Sequence, residues 1–451
     1  MSCMISVDAG TTALKVVLFD RRGQIKAQKG IEYKLITPTT DTAELEAEVY
    51  WEVCQQGIWS VLEQSPVPPE DVVALSISSQ GETLIPVDRS GSPLRRAIVW
   101  LDNRSGEEAK IIEEAFGIEE IYRATGQPKV VPTWPATKIL WMRRNEPHIF
   151  RQTYKFLLVE DYLLYKLTGR YVTEGSLISS SLLFDINTGT WWNEMVDFVG
   201  ITPKQLPEIK RTGEVVAPVT QSACRLTGLC GETLVTTGAM DQAAGMIGAG
   251  NIQPGIVTET TGAALALCAT TDRVVLDPQR RVPCQVHSVP GLYFLMPWCP
   301  VGGMFFRWFR DVFCQTEMEE ARRKGLDVYD LLTQQAESVP PGSEGLVALP
   351  HLMGAVTPEF NPNAKGAFFG VTLKHQKEHF VRAVMEAVAF MLKRNLELLE
   401  DLEIEVQEIR SLGGGSKSPL WNHIKADVTG KPIVTVGTSE AASLGVAMLA
   451  G

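Results

Sequence analysis

Residues 4–20 read MISVDAGTTALKVVLFD. Two short runs of β-branched and apolar residues flank a Gly-Thr-Thr turn, and Asp20-Arg21-Arg22-Gly23 makes a second turn, so the chain is predicted to open as a hairpin. A comparable run, GIVTETTGAALALCAT, recurs at 255–270, where two apolar arms again flank a Thr-Thr-Gly turn. Two such hairpins imply two related halves, with a boundary near residue 250. Around them helical and strand patterns alternate. AEVYWEVCQQGIWSVLEQ (47–64) reads as a helix, VVALSISSQG (72–81) as a buried strand ending at a glycine turn, and EDYLLYKLTG (160–169) as a helix stopped by Gly169. From Glu378 to Leu402, Val381, Val384, Met385, Val388, Met391 and Leu392 form one apolar stripe, with Arg382, Lys393 and Arg394 expected off it. Strands alternating with helices in both halves predict an α/β fold with mixed or parallel sheets.

Composition narrows the function. At 451 residues the chain has room for two or three domains, and 45% hydrophobic with 21% charged residues is a globular balance that excludes a disordered chain. A net charge of -11 repels polyanions, so nucleic acid is not an expected partner, although backbone amides or a metal can still hold a small phosphate locally. The eight cysteines show no C-x-x-C pair, which fits thiols in a reducing cytoplasm. The start, MSCMISVDAG, lacks a signal-peptide pattern, and no apolar run reaches membrane-spanning length, so no membrane partner is expected.

Three constellations carry possible chemistry. Asp8-Ala9-Gly10-Thr11-Thr12, with Lys15 beyond it, sits at a strand end: backbone amides and Thr hydroxyls suit phosphate oxygens, and Asp8 suits a hydrated Mg²⁺. A plain hairpin turn explains the same residues. Thr237-Gly238-Ala239-Met240-Asp241-Gln242 places a carboxylate at a strand-to-helix junction, where it serves either as a proton acceptor or as a helix N-cap. Gly413-Gly414-Gly415-Ser416 follows the strand-like QEIRSLG, and three glycines together let a flat ligand approach the backbone closely. The pattern is neither a P-loop nor a Rossmann fingerprint. His375 and His379 have the spacing of a helical metal pair, but HQKEHF lacks the partner glutamate and a third ligand, so a solvated helix face is expected.

Taken in order along the chain, these segments resemble the FGGY family of carbohydrate kinases over nearly the whole length. ISVDAGTTALKVVLFD looks like the family's first phosphate motif, AIVWLDNRS (97–105) like its Trp-x-Asp-x-Arg substrate segment, and LVTTGAMDQAAGMIGAG (234–250) like the segment bearing its catalytic aspartate. VTETTGAAL is similar to the second phosphate motif. GLVALPHLMGAVTPEFNPNAKGAFFGVT with RAVMEAVAF resembles the second-domain signature, and GGGSKSPLWNHIKADVTGKPIVTV the adenosine motif. The resemblance implies a cytoplasmic transferase with two actin-like (ribonuclease H-like) domains and a nucleotide and sugar cleft between them: residues 1–250 on the sugar and phosphate side, residues 251–451 on the adenosine side. By carry-over, Asp241 would be the general base and Asp8 would position Mg²⁺. Thr11, Thr12, Lys15, Thr261 and Gly262 would contact the phosphates of ATP, and Gly414, Gly415 and Asn422 would line the adenosine site. Members are often dimers or tetramers; the residues themselves mark no homodimer interface.

The acceptor follows less directly. Xylulokinases tend to carry Gln-Met-His, and glycerol kinases Gln-Arg-Glu, where this chain has Gln80-Gly81-Glu82. Glu82 matches the glycerol type, Gly81 removes the long arm of both, and Thr133-Trp134 stand where glycerol kinases place a tyrosine. The extra volume at Gly81 suits a larger compound, with Gln80, Glu82, Trp100, Asp102 and Gln242 as hydroxyl partners or walls. A ketopentose such as xylulose is the leading expectation, with glycerol, gluconate or a deoxyketose as alternatives. Relatives usually continue several tens of residues past SLGVAMLAG, so a loosened adenosine site, and with it a non-catalytic sugar-binding regulator, stays open, as does a nucleotide-driven switch of the actin kind.

Overall fold

The computed structural model describes residues 2–438 and 440–451. It divides into two compact units: Met1–Gly250 with Cys284–Tyr293 and Glu440–Gly451, and Asn251–Pro283 with Phe294–Ser439. Each carries its own sheet. Among the described residues no helix is long and apolar enough to cross a membrane.

In the first unit the opening hairpin forms as its sequence predicts. Cys3–Ala9 runs antiparallel to Ala13–Asp20, which pairs onward with Ile25–Glu32. On its other side Cys3–Ala9 pairs in parallel with Val72–Ser79, and Leu234–Thr236 and then Ala239–Met240 run parallel to that strand in turn. Val72–Ser79 is buried at seven of its eight positions, the unbroken apolar and small-residue pattern of a strand covered on both faces. The register aligns Asp8 with Ser78, Ala9 with Ser79, and Met240 with Ser79. Three parallel strands therefore end together at one edge, so the residues that follow them, Gly10, Gln80 and Asp241, leave the sheet side by side.

Helix Ala47–Gln64 packs on the hairpin side, where a Cβ at Gly57 would lie 2.5 Å from Val16 Cγ2. The other face is covered by helices Asp241–Gly248 and Ala441–Ala450. These two approach backbone to backbone: a Cβ at Gly248 would sit 1.9 Å from Ala441 O, and one at Gly445 1.9 Å from Ala244 O. Helix Val159–Thr168 ends at Gly169 in the left-handed conformation, as its glycine stop predicts.

In the second unit Gly255–Thr261 and Leu265–Thr271 form the second hairpin, with Val406–Leu412 and then Ile433–Thr435 added in parallel on the far side. Helix Lys377–Asp401 packs across this sheet and against helix Pro419–Thr429. It departs from its expected pattern at Arg382, which lies in the interior at 6% exposure. The guanidinium is satisfied there, donating to Glu386 Oε1 at 2.8 Å and to Val339 O at 2.8 Å, while Glu386 in turn accepts from the Gly342 amide and Ser343 Oγ. His375 and His379 also depart from expectation. His375 precedes the helix, and His379 Nδ1 accepts the Gln376 amide at 3.1 Å, so they do not share one solvated helix face.

The glycine contact between the two covering helices leaves no space for a side chain. Gly445→Ala is expected to lower stability by about 1–3 kcal/mol through overpacking, a fall of a few degrees in Tm by calorimetry; an unchanged Tm would show that the helices separate at no cost.

Candidate active site

The edge of the first sheet gathers the residues that sequence reading placed on the phosphate and acceptor sides. Gly10 closes the hairpin turn, its amide donating to Ala13 O at 3.0 Å, and Tyr33 OH donates to Gly10 O. The Trp100 indole N–H donates to Thr11 Oγ1 at 2.9 Å. An indole N–H only donates, so this bond engages Thr11 as acceptor and leaves its hydroxyl proton to give. Thr12 is exposed beside it. Lys15 Nζ pairs with Glu440 Oε2 at 2.6 Å, so a phosphate on Lys15 would compete with a carboxylate for the ammonium.

Asp241 is the first residue of its helix. Met240 occupies the cap position, so the N-cap reading of Asp241 gives way; its Oδ1 accepts the Gln242 amide at 2.6 Å, and Gln242 itself is half-buried. Burial, then the nearby Asp8 charge, with Glu82 adding, push the Asp241 carboxyl up to about 7 against the pull of the Gln242 amide. Burial likewise raises Asp8, with Lys15 opposing and Glu440 adding.

Two buried acids that sequence reading missed hold the strand leading to Asp241. Glu160 Oε1 accepts the Gly238 amide at 2.8 Å. Glu174 accepts four donors, the Ser176 and Leu177 amides and the Ser176 and Thr212 hydroxyls, while Ser176 Oγ accepts the Met240 amide at 3.1 Å. Gly238 admits no side chain, since a Cβ would fall 1.6 Å from Ile77 O. In sequence Glu160 looks like any acid in a helix's first turn, so nothing distinguished it.

On the acceptor side Gln80 is 3% exposed; its Nε2 donates to Tyr50 OH at 2.8 Å, while its Oε1 is buried without a partner. Glu82 adopts φ of 58°, a left-handed conformation rare for a side chain of this kind, and Ser180 Oγ donates to its carboxyl. Burial raises the Glu82 carboxyl, with Ser180 and Lys138 opposing. A Cβ at Gly81 would stand 3.4 Å from Ser180 Oγ and 3.6 Å from Met240 Sδ, so an arm there would fill the space between those groups.

Asp102 corrects the sequence reading. It is wholly buried, and its carboxylate accepts the Ala43 amide at 2.7 Å, the Arg104 amide at 3.0 Å, and Arg104 Nε and Nη2 at 2.8 Å each. With its lone pairs engaged, Asp102 anchors Arg104 and has no capacity for a substrate hydroxyl.

In the second unit Thr261 ends strand Gly255–Thr261, and its hydroxyl donates to Glu259 Oε2 at 2.7 Å. Glu259 Oε1 accepts Ser411 Oγ at 2.5 Å and pairs with Lys425, both charges fully buried. The Thr261 hydroxyl proton is thus engaged inward, the reverse of Thr11. The Gly262 amide donates to Ala264 O at 3.0 Å. Gly413 (φ 76°) and Gly415 are glycines for packing: a Cβ would come 2.8 Å from Thr261 O and 2.6 Å from Thr261 Cβ respectively, whereas Gly414 faces open space. Gly415 thus has a packing reason to be glycine besides the expected ligand contact. Asn422 Nδ2 donates to Ser416 O at 2.7 Å, and its Oδ1 is buried without a partner. Among the described residues no three His, Cys, Asp or Glu side chains form a metal cluster.

Comparison with known proteins covers nearly the whole chain. The model of the FGGY family of carbohydrate kinases, N-terminal domain, matches residues 3–248, and that of the C-terminal domain matches residues 256–451. A gluconokinase of Bacillus licheniformis is 32% identical over 99% of this chain and 87% of its own length. A xylulose kinase of Bacillus subtilis is 28% identical over 100% of this chain and 88% of its own length. The crystal structure of ligand-bound xylulose kinase from Lactobacillus acidophilus superposes with TM-score 0.89 at 28% identity, covering 100% of this chain and 89% of that one.

The carboxyl of Asp241 is expected to titrate near pH 7 by ¹³C NMR, assigned by its loss in Asp241→Asn. A midpoint in the ordinary aspartate range, about 4, would mean that burial and Asp8 do not act on it.

Proposed function

Because the chain belongs to the FGGY family of carbohydrate kinases, phosphotransferases that use ATP as phosphate donor, we propose that it phosphorylates a hydroxyl of a small uncharged sugar, a ketopentose such as xylulose, with Asp241 as general base. The observation that carries this reading is the Asp241 carboxyl, pushed up to about 7 at the edge where three parallel strands end. A base tuned to neutral pH is half ionised there, yet basic enough to take a proton from an alcohol.

Asp241 accepts the proton of the acceptor hydroxyl as that oxygen bonds to the γ-phosphorus of ATP; the bond to the β,γ-bridging oxygen breaks and ADP leaves. Thr11, with its proton free for donation, and Thr12 face the phosphates. Two nearby carboxyls that repel each other, Asp8 and Asp241, suit a Mg²⁺ ion, which commonly takes one or two carboxylates with the rest of its shell from phosphate and water. Asp8 would hold the ion, which supplies charge neutralisation to the transferring phosphoryl group. In the second unit Gly414 offers an open backbone face to the adenosine, and Asn422 Oδ1 an acceptor for one of its N–H or O–H donors. Gly262 is retained on the phosphate side through its backbone.

The acceptor is argued from charge. Gln80 Oε1 is a buried acceptor without a partner, and the Glu82 carboxyl beside it already accepts from Ser180 Oγ, so acceptors predominate on this side. A neutral polyhydroxyl compound supplies donors, whereas an acid sugar brings a further negative charge toward Asp8, Glu82 and Asp241. Likeness to a gluconokinase at 32% identity favours gluconate as the second reading.

Coupled ADP release with MgATP across D-xylulose, L-xylulose, ribulose, gluconate, glycerol and erythritol tests the acceptor. Stimulation by a ketopentose is expected; stimulation by gluconate alone would transfer the assignment, and none by any would remove the catalytic reading. Asp241→Asn is expected to keep ATP binding and lose about 10²–10⁴ in kcat. The base must be unprotonated, so kcat/KM is expected to rise about tenfold per unit up to the Asp241 value near 7 and level above it. Bound Mg²⁺ lowers that midpoint, so the variant decides: a residual pH profile in Asp241→Asn with the same acidic limb as wild type would exclude Asp241 as the base.

A further inference from the structure

Lys138 is one of the largest fully buried side chains of the protein, and no step proposed so far uses it. Its Nζ donates to Glu82 O at 2.8 Å and to Val99 O at 3.2 Å. Those carbonyls lie in two separate chain segments, the Gln80-Gly81-Glu82 turn and the segment leading into Trp100. The same segments are joined further along by the reciprocal Leu84–Ile98 backbone pair, at 3.0 and 2.9 Å, and by the Trp100 amide, which donates to Thr83 Oγ1 at 3.1 Å, so Lys138 is the tie at the Glu82 end. Helix Pro135–Asn145, which carries Lys138, thereby reaches both walls of the acceptor side from beneath.

We propose that Lys138 is the positioning residue of the acceptor site: its ammonium holds the Glu82 backbone in the left-handed conformation and sets the separation between Glu82 and Trp100, and thereby the acceptor's affinity. A salt bridge to the nearest carboxyl would only neutralise charge; two backbone carbonyls instead make the lysine a clamp of fixed span. Glu82 at φ of 58° is the kind of strained conformation that persists only where its surroundings over-determine it, and the clamp at its own carbonyl supplies that constraint. Methionine matches the lysine stem in length but takes away the ammonium donor at Glu82 O, whereas Val99 O keeps the Asp102 amide at 3.0 Å, so the turn relaxes and the Glu82 carboxyl leaves its place beside Ser180.

This inference rests on the acceptor-side reading of Glu82. The test measures steady-state kinetics of the full-length protein with MgATP and the sugar that the panel identifies. Lys138→Met is expected to raise KM for the sugar by about tenfold or more, while KM for MgATP stays within about twofold. Lys138→Gln, which keeps a donor on a shorter stem, should lie between Lys138→Met and wild type. A sugar KM equal to wild type in folded Lys138→Met overturns the proposal, as does an equal rise in both KM values, which marks general loosening. If Lys138→Met does not fold, Lys138→Gln decides by the same two criteria. A wild-type protein that phosphorylates no sugar fails the functional reading instead, and that outcome is distinct from a kinase insensitive to Lys138.

Discussion

The chemistry of the first unit depends on one register. Val72–Ser79 is flanked in parallel by Cys3–Ala9 and by Ala239–Met240, and all three strands stop at the same level. A slip of one residue in a parallel pair reverses which face each side chain occupies. Asp8 and Asp241 can act on each other only because Gly238 lets its strand come within contact of Ile77 O and because Glu160 and Ser176 hold the neighbouring amides. The pairing of carboxyls is a product of backbone geometry, and the shifts in their acidity follow from it.

The two units treat buried charge in opposite ways. The second neutralises it in place: Glu259 and Lys425 pair with both groups wholly buried, and Ser411 and Thr261 satisfy the remaining lone pairs. Such a pair is well compensated and electrically quiet from outside. The first unit instead buries Glu160, Asp161 and Glu174 and half-buries Asp8, Glu82 and Asp241, and loss of solvent raises every one of these carboxyls. Its buried cation, Lys138, is pushed down to about 7 by the same loss of solvent. A surplus of acids withdrawn from solvent is costly for stability, and such groups gather where proton transfer is needed.

The architecture was legible because it is written in local patterns. The hairpin at 4–20, its counterpart at 255–270 and the strand at 72–79 each declared themselves by composition and turns. A motif drew attention to Asp241 and Thr11, which the structure brings to the same sheet edge, whereas a contact that depends on a distant partner left no mark in the sequence. Asp102 looked like a hydroxyl ligand until the Arg104 guanidinium and the Ala43 amide were seen to take its lone pairs. The packing of Gly415 on Thr261 was equally invisible in the sequence. Thr11 and Thr261 occupy equivalent turns, yet one hydroxyl is pointed out by an indole and the other drawn in by a carboxylate. Lys138 and Glu160 stand on ordinary helices, and no periodicity distinguishes a buried lysine from one that reaches back to solvent.

The return of helix Ala441–Ala450 to the first unit gives the chain a temporal order. That helix covers the face of a sheet whose first strand is Cys3–Ala9 and seats its Gly445 against the helix that begins at Asp241. A chain leaving the ribosome has made that sheet long before it has made its cover. Until residues 441–450 emerge, an apolar sheet face stays open to solvent, and the helix bearing Asp241 lacks the neighbour that seats it. The second unit, whose strands and long helix lie between, is free to complete its own core first. Completion of that sheet edge therefore waits on residues 441–450, and a chain lacking them would keep its acids but lose the support that aligns them.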